Sequence, residues 1–250
     1  MLNAADKVEK NSFKTHTELS YVQTQGNTDT DAFSLDFSAK KEWSQHSLKL
    51  DFDALYGTDK HIETKNKILT ELNYDYQFVK HFTINYLAGY KNDKFSGFEY
   101  QFYTGPGIRY IVFESKKHNL DFQANILWNI DQTMDVYIDS NGDEIAYPYP
   151  DGTAGASISK GESDKYNGFS AKANYSWQVL ESLKFVQELS YRNNFDDTEE
   201  YFVFSKTAVE AKISDMFSMG ISYKVDYTNI PPSGKEYSDR TFMTSLIIDY

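Results

Sequence analysis

The chain has 250 residues, with 20 Tyr and 18 Phe against 5 Pro, no Cys and a formal net charge of −12. Lack of Cys excludes thiol catalysis, disulfide frameworks and Cys-based zinc sites, and a negative chain without a Lys/Arg-rich tract is a poor partner for nucleic acid. No run approaches the roughly eighteen consecutive apolar residues of a transmembrane helix.

Beyond residue 13 apolar and polar side chains alternate, the period of a strand with one apolar and one polar face. Leu19 and Tyr21 oppose Lys14, His16, Glu18 and Ser20. Phe33, Leu35, Phe37, Ala39 and Trp43 oppose Ser34, Asp36, Ser38, Lys40 and Glu42. The stretch between, Gly26-Asn27-Thr28-Asp29-Thr30, reads as a hairpin turn, because a phosphate cradle needs a following helix and none is readable. Leu48, Leu50, Phe52, Ala54 and Tyr56 then oppose Lys49, Asp51 and Asp53. Ile68, Leu72, Tyr74, Tyr76 and Phe78 oppose Lys67, Glu71, Asn73 and Asp75. Phe82, Ile84, Tyr86 and Tyr90 oppose Thr83, Asn85 and Lys91, and Phe98, Tyr100, Phe102, Ile108 and Tyr110 oppose Glu99, Gln101 and Arg109. Leu120, Phe122, Ala124, Ile126 and Trp128 oppose Asp121, Gln123, Asn125 and Asn129.

The second half repeats the pattern. Phe169, Ala171, Ala173, Tyr175 and Trp177 oppose Lys172 and Asn174, and Leu183, Phe185, Leu189 and Tyr191 oppose Lys184, Glu188 and Arg192. Val203, Val209 and Ala211 oppose Lys206, Glu210 and Lys212. Phe217, Met219, Ile221, Tyr223, Val225 and Tyr227 oppose Ser218, Ser222, Lys224 and Asp226, before a last segment through Phe242, Leu246, Ile248 and Tyr250. The count is about twelve strands.

Strands of about ten to thirteen residues exceed the usual soluble length and match a tilted bilayer crossing. Aromatics near the strand ends (Tyr56, Tyr74, Phe78, Tyr90, Phe98, Tyr110 and Tyr227) sit where interfacial girdles stand. Breaks near 44–45, 79–81, 112–118, 180–182 and 214–216 are short; those near 57–64, 92–97, 131–163, 193–200 and 229–238 are longer. The expected architecture is an all-β, antiparallel, up-and-down transmembrane barrel with short periplasmic turns and longer outer loops. Residues 13–250 form the barrel, and 1–12 a periplasmic segment. The start, Met1 to Asp6, lacks an apolar h-region and reads as a mature chain behind an added Met. A soluble lipocalin-like binder fits the alternation but not the strand length, nor an apolar outward face.

Parity assigns a lumen face that carries Glu18, Asp36, Lys49, Asp51, Asp53, Lys67, Glu71, Asp75, Glu99, Arg109, Asp121, Lys172, Lys184, Glu188, Arg192, Lys206, Glu210, Lys224 and Asp226. With Lys14, Lys40, Glu42, Lys91 and Lys212 on the same polar face the two signs cancel, which leaves most of the net charge on the loops. Such a lining is either a passage for small polar solutes or an interior cross-braced by ion pairs; a count near twelve decides neither. Asp139-Ser140-Asn141-Gly142-Asp143-Glu144 departs from a calcium loop, with Glu144 at position six and Pro150 at twelve. Val136, Tyr137 and Ile138 facing Ile145, Ala146 and Tyr147 across Asn-Gly predict instead a type I′ ribbon inside loop 131–163. Acids such as Asp196, Asp197, Glu199 and Glu200 on the outer rim are either solvated or share divalent cations with lipopolysaccharide. His61 lies beside Asp59 and Glu63 with no Ser close in sequence, so the chain reads as non-enzymatic, without metal or cofactor.

Glu18-Leu19-Ser20-Tyr21 followed by Gly26 to Thr30, and later Asp93-Lys94-Phe95 with Gly105-Pro106-Gly107-Ile108-Arg109-Tyr110, resemble two blocks of a bacterial outer-membrane family of unknown function. Its members are often labelled salt-induced outer membrane proteins. The resemblance covers most of the chain in layout and is specific in those two blocks. It implies an outer-membrane barrel in a Gram-negative cell, with an osmotic or salt-stress role and no catalytic residues to carry over; the barrel is expected to be a monomer. Leu246-x-Ile248-x-Tyr250 resembles the terminal strand signal read by the barrel-assembly machinery, with Ser245 where a glycine is usual.

Overall fold

A computed structural model describes residues 11–24, 30–142, 144–145, 157–231 and 236–250. Strands β1 (Asn11–Thr24), β2 (Thr30–Trp43), β3 (His46–Asp59), β4 (Ile62–Val79), β5 (Phe82–Asp93), β6 (Phe98–Glu114) and β7 (His118–Thr133) build the first half of one sheet. A small sheet of β8 (Val136–Ile138), β9 (Glu144–Ile145) and β10 (Ser157–Ser159) follows. Strands β11 (Ser163–Leu180), β12 (Leu183–Asn194), β13 (Tyr201–Lys212), β14 (Phe217–Thr228) and β15 (Ser238–Asp249) complete the main sheet. Each main strand pairs antiparallel with its neighbour, and β15 returns to β1, so that β1–β7 and β11–β15 close a barrel of twelve strands. Closure satisfies the backbone groups that an open edge would leave bare in lipid. At the seam, Thr15 N donates to Tyr250 O at 2.6 Å and Tyr250 N to Thr15 O at 3.0 Å. Pairing continues from His16↔Asp249 to Leu19↔Leu246.

The strands carry their apolar residues outward. Ile84, Ile126, Ile221 and Leu246 are exposed, whereas Asn85, Asn125, Ser222 and Ser245 beside them in sequence are buried within the barrel. Rings gather at both rims. Trp43, His46 and Tyr74 stack on the short-turn rim, as do Tyr175, His118 and Trp177, while Tyr191, Tyr201 and Tyr227 form a row at the other end. Rings with one polar edge suit the headgroup level.

Three expectations need correction. The connection near 57–64 is not a long loop but the two-residue turn Lys60-His61, with φ of 49° and 64°. Two positive φ values give a type I′ turn, whose twist continues the strands. Of the flanking residues only Ile62 is apolar, so the alternation fades before the strands end. Second, Phe98 faces inward and is buried, while Glu99 is exposed and outside the lumen. A β-bulge between Phe98 and Tyr100 shifts the register against β7 and reverses the parity beyond it. Third, the ribbon turn is not type I′ at Asn141-Gly142. Asp139 caps the turn by accepting Asn141 N at 2.8 Å on Oδ1 and Gly142 N at 3.1 Å on its carbonyl, and Gly142 alone of the pair has positive φ. Tyr137 faces Ile145 and Ile138 faces Glu144, and β10 pairs along the other edge of β8. The Gly26 to Asp29 turn, residues 1–10, Ala146 and Tyr147 lie outside the described residues.

Candidate functional site

The lumen is built from register. Glu18, Asp36 and Asp53 stand directly opposite one another on β1, β2 and β3, a row of like charges that repels itself. Lys206 and Lys224, paired across β13 and β14, supply the countercharge. Lys206 Nζ donates to Glu18 Oε1 at 2.6 Å and to Asp36 Oδ2 at 3.4 Å; Lys224 Nζ donates to Asp36 Oδ1 at 2.7 Å and also bonds Asp53 Oδ2. His16 joins this layer to the seam, with Nε2 3.1 Å from Glu18 Oε1 and Nδ1 2.7 Å from Asp249 Oδ1.

A second layer forms a neck. Lys172 Nζ on β11 stands 3.1 Å from Glu71 Oε2 on β4 and 3.0 Å from Glu188 Oε1 on β12. Tyr103 OH donates to the other Glu71 oxygen at 2.6 Å. Tyr103 lies over Gly89, its register partner; any Cβ at Gly89 would run into the Tyr103 ring.

Towards the long-loop rim, Lys67 Nζ on β4 meets Asp226 Oδ2 on β14 at 2.8 Å, five strands away around the ring. The Arg192 guanidinium lies over the rings of Tyr103 and Phe202, 4.8 and 4.5 Å from their centres, an arrangement that favours a planar cation. Its Nη2 is 3.9 Å from Asp131 Oδ2, which also accepts from Gln101 Nε2 at 2.7 Å and Tyr166 OH at 2.9 Å. Asn129, Asp131 and Tyr166 are 0, 2 and 3% exposed, so this end of the lumen is filled. Just outside it, burial raises the Glu200 carboxyl above its usual range, although Glu200 Oε2 accepts from Asn194 Nδ2 at 2.7 Å.

At the short-turn end Arg109 grips both oxygens of Asp121 at 2.9 and 3.0 Å and reaches Asp75 Oδ2 at 3.3 Å. Lys184 pairs with Glu210 at 3.1 Å and Lys49 with Asp51 at 2.7 Å. Every residue assigned by parity except Glu99 therefore lines the interior or its mouth.

The free space follows these layers. A vestibule of about 870 Å³ runs from Lys14 and Tyr250 at the short-turn rim up to Glu71 and Lys172. Beyond the neck lies a chamber of about 140 Å³, between Lys172 and Arg192. Inward aromatic and aliphatic side chains, among them Tyr103, Leu127, Phe202 and Phe204, wall that chamber and do not figure among the charged candidates. Tyr103 falls on the parity of Gln101 and Arg109, and that signal places it inward.

A family described as "Protein of unknown function, DUF481" matches residues 17–250. The chain belongs to the DUF481 family. No curated protein matches it. This DUF481 barrel is similar in structure to an outer membrane channel from Pseudomonas putida F1, at 7% identity and a TM-score of 0.50, with 100% of each chain covered. It is also similar to the translocator domain of the autotransporter NalP from Neisseria meningitidis, at 7% identity and a TM-score of 0.50, covering 95% of this chain and 86% of that one. Identities this low show a shared fold. Glu71, Lys172 and Glu188 line both cavities, so the neck stands between the vestibule and the chamber.

Proposed function

We propose that this DUF481 protein is an outer-membrane barrel whose short-turn rim faces the periplasm, and that it binds small polar solutes and passes them through a narrow, charge-balanced lumen. The observation that carries this reading is the sequence of an open vestibule, a neck held by one lysine between two carboxylates, and a small chamber. Paired charges on all sides suit solutes that carry both donors and acceptors and give no strong preference for one sign of ion. A role in salt or osmotic stress fits the same reading, since ion pairs lining a wet lumen weaken as salt screens them. The barrel works as a monomer among outer-membrane lipid and lipopolysaccharide after delivery by the barrel-assembly machinery.

Refolded protein inserted in planar bilayers provides the test. The expected result is small, discrete conductance steps with weak ion selectivity. Silence from protein shown to be folded would overturn the passage. It would favour a second reading, a closed barrel acting through its outer loops, which the filled end around Asn129, Asp131 and Tyr166 supports.

A further inference from the structure

Lys91 stands on β5 between Leu69 and Gln101 in register and lines the 140 Å³ chamber. The cations lining that chamber are Lys67, Lys91, Lys172 and Arg192, and its carboxylates are Glu71, Glu188 and Asp226. Each carboxylate already holds a lysine: Asp226 holds Lys67, while Glu71 and Glu188 share Lys172. Arg192 is turned to Asp131, which lies behind the chamber wall. Among the described residues Lys91 alone of these four cations has neither hydrogen-bond nor ion-pair partner. A half-buried ammonium without a partner is costly, and the cost falls when an anion sits against it.

Much of the rest of the chamber lining is apolar. Leu87 on Lys91's own strand, Tyr103 on β6 and Leu127 on β7 form one buried cluster beside the ammonium, and Phe202 and Phe204 line the chamber from β13, five strands away around the ring. A volume near 140 Å³ is close to that of cavities that accept a single benzene ring. We propose that the chamber is a binding site for a small organic monocarboxylate, its carboxylate against Lys91 Nζ and its apolar body against Leu87, Leu127 and Phe202. The ligand enters from the vestibule past Lys172. This names a ligand class for the lumen proposed above and rests on that reading for access alone.

Titration calorimetry on detergent-folded protein tests it, with sodium benzoate as probe and benzamide and benzylammonium as neutral and cationic counterparts at matched ionic strength. Benzoate is expected to bind saturably, one per barrel, more tightly than either counterpart. Lys91→Met lowers its affinity by about tenfold or more, the worth of one charge-assisted contact. Lys91→Arg keeps most of the affinity, and Lys117→Gln, in an exposed turn, leaves it unchanged. Folding of each variant is checked by circular dichroism. Absence of saturable binding to folded wild type, equal affinity for benzamide, or full affinity in folded Lys91→Met would overturn the site. Benzoate binding by a barrel silent in bilayers removes the passage but keeps the site; conduction without binding does the reverse.

Discussion

Lys224 reaches from β14 across the lumen to Asp36 on β2, its Nζ 2.7 Å from Oδ1, while it also bonds Asp53 on β3. Lys224→Met leaves Asp53 without its lysine and Asp36 with only Lys206, which Glu18 also holds. Removal of one partner from a largely buried pair costs about 3 kcal/mol. A urea midpoint measured in lipid vesicles is expected to fall accordingly. Adding Asp53→Asn to Lys224→Met should recover part of the loss, because it removes one of the stranded charges; a double variant no more stable than the single one would refute this account.

Lys172 is the countercharge of both neck acids, so Lys172→Ala leaves Glu71 and Glu188 facing each other unneutralised. The expected result in planar bilayers is larger conductance steps and a reversal potential displaced towards that of the cation under a salt gradient. Unchanged selectivity would place the narrowest point elsewhere.

Gly89 and Tyr103 fit as slot and ring. Gly89→Val forces the ring off Glu71 at a cost of about 1–3 kcal/mol, the usual range for overpacking. In Tyr103→Ala the same valine should cost much less, and a double-mutant cycle on unfolding free energies measures that difference.

Glu200 lies in the loop before β13, where burial and the neighbouring Asp131 and Asp164 outweigh Asn194 and Arg192 and raise its pKa. A raised carboxyl favours the folded state below its unfolded pKa and loses that contribution as pH rises through the folded value. Glu200→Gln is therefore expected to match wild-type stability near pH 4 and exceed it near pH 7. Thermal unfolding at the two pH values checks the sign.

Much of this architecture was legible because lipid outside and water inside impose opposite demands on alternate residues, as at Ile84 and Asn85 or Ile126 and Asn125. Legibility ends where that contrast ends. Around Lys60-His61 a lone Ile62 stands among polar residues, so β3 and β4 run on unannounced by alternation. At Phe98 and Glu99 a single extra residue inverts the reading, and no residue type marks it. The candidate site divides the same way. Its charged members follow from parity, but the partners do not: Lys206 meets Glu18 across 188 positions of sequence, a contact that only barrel closure specifies. The solitary state of Lys91 is likewise invisible in sequence, since it depends on what every neighbouring carboxylate is already doing.

The row Glu18, Asp36 and Asp53 also orders events during assembly. β1, β2 and β3 come first in the chain, and they carry three acids side by side with no lysine or arginine of their own to hold them; His16 reaches Glu18 alone. Their relief arrives with β13 and β14, the tenth and eleventh barrel strands to be made. A fragment ending before Tyr201 thus keeps a self-repelling wall. The last hairpins act as a check on completeness, because the early sheet settles only when the far end of the chain has come round to meet it.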